Sequence, residues 1–284
     1  RGMCCLVTTG ERRILIDPGL ALGYLRHGLL PHPLQVANGI QVRRQILKAL
    51  QIATDIVFSH FHGDHVPLLR ANSYQLSLEL IPDCSSKVCI WAKSSENLSS
   101  RMQCRAEDLS KLFGTGMKTA EGCSEGILSF SASVPHGLAE SRFGSVMMTR
   151  IDMGRQVFVH ASDIQLLDTA TIEKILLWQP EIVFTAGPPL YLETLPDEQR
   201  TAAWCNALRL AHNVDILILD HHLMRDQQGP AWLEALSAEA GKQVYCAADF
   251  MGRKRLPLEA ERTALYETMP VPTHWHEEYA KGLI

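Results

Sequence analysis

His60, His62, Asp64 and His65 bring three imidazoles and a carboxylate together within six residues. Imidazole and carboxylate are the ligands that zinc and similar borderline divalent metals take. In an extended loop, residues two apart point the same way. His60 and His62 can then grip one ion while Asp64 and His65 turn toward a neighbouring position. Gly63 is expected to supply the backbone freedom for that tight turn. The four ligand-type residues follow directly on the apolar run Ile56-Val57-Phe58, which counts against a polar loop with incidental histidines. Further candidates also end apolar runs: Val134-Pro135-His136, Val157-Phe158-Val159-His160-Ala161-Ser162-Asp163, and Ile216-Leu217-Ile218-Leu219-Asp220-His221-His222. Open α/β folds place site residues at the carboxyl ends of strands. Taken singly, each of these could equally be a cap or a core residue.

The segment Ser59-His60-Phe61-His62-Gly63-Asp64-His65 resembles the HxHxDH signature of metallo-β-lactamase-fold hydrolases. Other motifs of that superfamily follow in order. Asp17, in Ile16-Asp17-Pro18-Gly19, matches the early strand-end aspartate; His136 matches the third histidine, Asp163 the bridging aspartate and His221 the final histidine. The chain is most similar to an uncharacterised, mainly prokaryotic branch of predicted metal-dependent hydrolases. The shared features are Asp17-Pro18-Gly19 with Pro31-His32-Pro33, the stretch from Asp220 to Asp226, and a tail like Pro270-Val271-Pro272-Thr273-His274-Trp275. That branch brings no substrate with it.

The resemblance implies an α/β protein, a four-layer αββα sandwich in one domain over residues 1–284, with metals at one edge between two sheets. It implies that His60, His62 and His136 hold a first ion, that Asp64, His65 and His221 hold a second, and that Asp163 bridges them. Asp17 and Asp220 either orient ligand imidazoles or brace their own loops. His160, three residues before Asp163, is a candidate supporting partner. His222 competes with His221 for the last ligand position. Alternation along an extended segment would send the two rings to opposite sides, which favours His221 as ligand and leaves His222 as a proton donor.

Two such ions, about 3.5–4 Å apart, can share a water and lower its pKa toward neutrality. The hydroxide so formed would be the nucleophile, with Asp64 and Asp163 tempering the positive charge. Ser59, Ser162 and the eight cysteines then need no catalytic role. A His-rich, thiolate-free ligand set favours zinc, with iron or manganese as alternatives. Arg225 could grip an anionic group in fork geometry, and Tyr191 could supply a pocket wall or a hydroxyl. Arg142 and Arg150 are either further anion contacts or structural arginines. The loop 20–33, with His27 and His32, could also wall the pocket. A site gathering this much positive charge suits a small anionic ester, with a phosphoester favoured. Thioester or lactone hydrolysis is the alternative, and di-iron redox proteins share the fold.

The elements that must position these residues can be read from periodicity. Residues 3–8 and 12–17 flank Thr9-Gly10-Glu11 as a hairpin. A loop over 18–33 leads to a helix near 34–51 and a strand at 55–58. Strands follow near 88–92, 126–134, 145–151, 156–160, 181–185, 215–220 and 243–247. Helices follow near 95–113, 165–178, 196–212, 230–241 and 257–268. The net charge of −4 argues against a constitutive nucleic-acid coat or a basic membrane anchor. No run of 18 apolar residues exists, so no membrane span is expected. The N-terminus shows no signal-peptide pattern. These features suit a cytoplasmic enzyme acting on a small molecule, with a homo-oligomer left open. The cysteines lack metal-ribbon spacing and are expected to be buried free thiols in a reducing compartment.

Overall fold

Cys5–Thr9 (β1) and Arg12–Ile16 (β2) pair antiparallel, setting Leu6 opposite Leu15 and Val7 opposite Ile14, so the expected hairpin forms. The computed structural model describes residues 2–23, 25–82, 88–139 and 143–284; Cys84 and Arg142 lie outside them. The described chain makes two compact units. One takes in the chain to Thr119 together with Leu258–Ile284, and the other is Ala120–Pro257.

In the first unit, β2 is followed by a helix at Pro33–Ile52 (α1) and a strand at Asp55–Phe58 (β3). Cys89–Ala92 (β4), a helix at Ser100–Phe113 (α2) and a short strand at Met117–Thr119 (β5) complete the order. The sheet runs β1-β2-β3-β4-β5, parallel from β2 onward. A parallel strand covered on both faces reads as a near-continuous apolar run; every residue of β3 is buried, and its one polar residue, Asp55, is bonded by Arg12, Thr54 and Trp91. Leu15, Ile56 and Phe58 pack with Val36, Ile46 and Leu50 of α1 and Met102, Ala106 and Leu109 of α2. Each large apolar side chain so buried contributes about 1.5–3 kcal/mol. That rigidity holds the carboxyl end of β3, where the histidine cluster starts.

The C-terminal residues fasten the loop between β2 and α1. Arg262 is fully buried and donates to the carbonyls of Gly23 and Leu29 and to Gln35 Oε1, each at 3.0 Å. Glu259 pairs with Arg26 at 2.9 Å. His32, expected as a pocket wall, is instead a structural joint. Its Nδ1 accepts from the Leu34 N–H at 3.3 Å, capping α1, and its Nε2 meets the Met269 carbonyl at 3.0 Å. The expected helix at 257–268 is confined to Arg262–Thr268, and a further helix, not anticipated, covers Trp275–Ala280.

The second unit opens with Ser124–Glu125 (β6), Leu128–Phe130 (β7), Val134–Pro135 (β8), Ser145–Val146 (β9), Thr149–Asp152 (β10) and Val157–Ser162 (β11). Thr169–Leu177 (α3), Ile182–Thr185 (β12), Asp197–Asn213 (α4), Ile216–Leu219 (β13), Gly229–Ala240 (α5) and Ala247–Phe250 (α6) follow. One sheet has the order β13-β12-β11-β10-β7-β6, and β8 pairs with β9. Strands β11, β12 and β13 are parallel, so their carboxyl ends lie on one edge of the sheet. Trp204 of α4 meets Trp232 of α5 edge-on, with centroids 5.0 Å apart.

Several expectations change here, and the run 145–151 divides into β9 and β10. The run 126–134 divides into β7 and β8, because the Ser131 carbonyl bonds outside the ladder to the Gly122 N–H at 3.1 Å. Only Tyr245 of the run 243–247 bridges to Ile218, and α6 begins at Ala247. The helices expected from 95 and 165 start later, where Ser99 and Asp168 accept backbone N–H groups as N-caps. The cysteines are free, but of the described ones only Cys246 is buried, and Cys104 and Cys205 face solvent from α2 and α4. Among the described residues, no helix is long and apolar enough to cross a membrane.

Candidate metal centre

In the first unit the site is built outward from Asp17. Its φ of 49° lies in the left-handed region, which aspartate tolerates better than most residues. Its N–H donates to the Val57 carbonyl at 2.8 Å, and its side chain receives three further bonds. Oδ1 accepts from the Ser59 N–H at 2.8 Å, while Oδ2 accepts from the Ser59 hydroxyl at 2.6 Å and faces His65 Nδ1 at 2.9 Å. Ser59 Oγ also lies 2.9 Å from His60 Nδ1. Asp17 thus orients His65 directly and His60 through Ser59, and both rings present Nε2. The sequence gives Ser59 no catalytic role, and its place between the end of β3 and His60 is the one signal of this joint.

The loop itself is one tight turn: the His65 and Val66 N–H groups reach the His62 carbonyl at 3.0 and 3.2 Å. Gly19 lies against it so closely that a Cβ there would stand 2.2 Å from the His65 carbonyl carbon. The His60 and His65 rings are 4.2 Å apart, and His60 Nε2 is 3.0 Å from His62 Nδ1. Donor atoms of Asp17, His60 and His65 lie within 4.8 Å of one another. Asp64 is half-buried in the same turn. Converging imidazole nitrogens, nearly all buried, with a carboxylate behind one ring, form the donor set that a divalent cation requires, so these residues fit a metal.

The second unit gathers its candidates around Asp163, which leaves β11 after Ser162, itself at φ 55°. Asp163 is 2% exposed. His136 Nε2 lies 3.1 Å from its Oδ2, His221 Nε2 lies 3.5 Å from Oδ1, and His222 Nε2 lies 3.5 Å from Oδ2. Three buried imidazoles around one carboxylate again fit a cation.

The expected alternation of His221 and His222 does not occur. β13 ends at Leu219, His221 has φ 24°, and His222 is helical at φ −70°, ψ −44°. The chain turns there, so both rings point at Asp163. Asp220 takes the bracing role: its oxygens accept the N–H groups of His221 at 2.7 Å and Ala247 at 2.9 Å.

Tyr191 and Arg225 join this group. The Tyr191 hydroxyl is 3.0 Å from His222 Nδ1. Arg225 Nη2 is 3.0 Å from His221 Nε2, and its guanidinium lies 6.0 Å from the Tyr191 ring centroid. Burial pushes His222 down to about 4, while Asp163 pulls the other way. His222 is therefore a neutral imidazole at neutral pH. His160 sits in β11 with its ring edge-on to Phe184 at 5.2 Å; it is a core residue of the sheet and does not belong to the donor groups found among the described residues. Arg150 bonds to Asp152 at 3.0 Å and to the Trp178 carbonyl at 3.4 Å, a structural arginine.

No family model matches the chain. It is 49% identical over 282 residues to a UPF0282 protein of Methanosarcina mazei, covering 99% of this chain and 93% of the relative. It is 33% identical over 282 residues to a UPF0282 protein of Thermococcus sibiricus, covering 94% and 90%. Among solved structures it is similar to the metallo-β-lactamase fold protein YhfI from Bacillus subtilis, with a TM-score of 0.52 and 14% identity over 87% of this chain and 89% of that one.

Proposed function

Because the chain belongs to the UPF0282 family and has the metallo-β-lactamase fold, we propose that it is a metal-dependent hydrolase working with two divalent ions, preferably zinc. The observation that carries this reading is the Asp17–Ser59–His60 and Asp17–His65 network. A buried carboxylate that fixes ring tautomers is the usual support of metal-binding imidazoles. In this reading residues 1–284 serve as one hydrolase domain. His60, His62 and His136 would hold one ion, Asp64, His65 and His221 would hold the other, and Asp163 would serve both.

Bound ions supply Lewis acidity and lower the pKa of water to near neutrality. The chain's own residues do the rest. Asp17 keeps the Nδ1 proton on His65. Asp163 places its two oxygens toward His136, His221 and His222. His222, held neutral by burial and bonded to the Tyr191 hydroxyl, is placed to accept a proton during the reaction, in place of the donor role expected from sequence. Arg225 keeps a fixed positive charge beside His221, which favours an anionic substrate oxygen. The substrate class is accordingly a small anionic ester, with a phosphoester favoured, handled in the cytoplasm without nucleic-acid or membrane partners.

A panel of phosphodiesters, phosphomonoesters, thioesters and lactones tests this, run with wild type, His62→Ala and Asp163→Ala. Wild type should cleave a phosphoester, and both variants should lose turnover while keeping their circular dichroism. Retained activity in Asp163→Ala would remove the bridging role. Cleavage of thioesters or lactones alone would overturn the substrate class.

A further inference from the structure

Arg105 of α2 reaches the turn that carries His60, His62, Asp64 and His65. Its Nη1 donates to the Phe61 carbonyl at 2.9 Å, within the peptide segment that joins the first two histidines. A carbonyl in a buried turn needs a donor, and this one is supplied from a helix more than forty residues downstream. Gly63 supplies a second observation. Its φ is not in the left-handed region, unlike that of the turn glycines Gly10 or Gly28. Backbone freedom therefore does not explain it, contrary to the expectation from sequence. A Cβ at Gly63 would instead stand 3.3 Å from Arg105 Nη2 and 3.2 Å from Leu68 Cδ1. The glycine leaves the face of the turn open to a guanidinium.

We infer that Arg105 is a positioning residue for the metal-binding turn, its guanidinium holding the Phe61 carbonyl and packing on the open face of Gly63. A planar fork can meet a carbonyl and lie flat against a glycine at once, which the point charge of a lysine cannot. The inference rests on the reading of His60, His62, Asp64 and His65 as metal ligands.

The test is titration of the metal-free full-length protein with Co(II), followed in the visible spectrum. The variants are Arg105→Met, Arg105→Lys, Gly63→Ala, His62→Ala and, as a control for surface charge, Arg101→Met. Arg105→Met should weaken Co(II) binding by about 10–100-fold and alter the ligand-field bands, the usual effect of losing an outer partner of metal ligands. Arg105→Lys should recover part of the affinity, Gly63→Ala should fall in the same direction, and Arg101→Met should match wild type. Wild-type affinity and spectrum in Arg105→Met would overturn the inference, as would an equal loss in Arg101→Met. If Arg105→Met does not fold, Arg105→Lys and Gly63→Ala both binding within about threefold of wild type would overturn it. Wild type that takes up no Co(II), or His62→Ala that takes it up unchanged, would instead remove the metal reading and this inference with it.

Discussion

Replacing Asp17 by Asn should weaken metal binding with little change to the fold. Asparagine tolerates the left-handed backbone of residue 17 as well as aspartate does. It also keeps one oxygen for the Ser59 N–H, a buried donor that needs an acceptor. The amide NH2 must then occupy the place of Oδ2, facing Ser59 Oγ and His65 Nδ1. The serine can rotate its proton away, but the imidazole can answer a donor only by shifting its own proton from Nδ1 to Nε2. The nitrogen meant for the metal would then carry a hydrogen. Loss of such a partner costs about 10–100-fold in metal affinity, equal to about 1.4–2.7 kcal/mol. The assay is competition for zinc between the metal-free protein and a chromophoric chelator, with 15N shifts reporting the His65 tautomer. Zinc binding within about threefold of wild type, or a His65 that keeps its Nδ1 proton in the variant, would show that Asp17 does not set the His65 tautomer for the metal.

Three further outcomes are expected. Arg262→Met removes three bonds from a fully buried guanidinium and should cost about 3–5 kcal/mol in urea unfolding; a loss below about 1 kcal/mol would contradict the fastening of the 20–32 loop by the C-terminal residues. Burial opposes ionisation of Asp55, yet bonds from Arg12, Trp91 and Thr54 hold its carboxyl below the usual range. A depressed folded-state value gives stability that is present above the unfolded value of about 3.9 and is lost as pH falls through the folded value. Asp55→Asn should therefore lower the urea midpoint at neutral pH, and the gap from wild type should close in acid; a gap independent of pH would contradict this. Arg225→Ala should reduce kcat/KM for a phosphoester by about 10–100-fold, the worth of one charge-assisted bond, and leave neutral lactones unaffected; an equal loss on both would contradict a charge role.

The turn after β3 was legible because a strand buried on both faces leaves an unbroken apolar run, and ligand-type residues crowd at its end. The parallel strands β11 and β13 were legible for the same reason, β11 leading to Asp163 and β13 to His221 and His222, which the structure sets around that carboxylate. Other features were hidden by distance or by local geometry. Nothing near Arg262 in the sequence marks it as the partner of Gly23 and Leu29, more than two hundred residues away. The reversal of His221 depends on a positive φ at a non-glycine residue, which no spacing rule announces. Ser59 and Arg105 act on backbone and neighbouring side chains, so their residue types carried no signal. The strand at Met117–Thr119 is short and largely exposed, which leaves no apolar pattern to find.

The dinuclear metal centre proposed for this chain's histidines and aspartates is checked by elemental analysis of the protein purified without added metal. About two divalent ions per chain are expected, mostly zinc, falling in both His62→Ala and Asp163→Ala. A stoichiometry near zero in protein that is fully folded and active would contradict it.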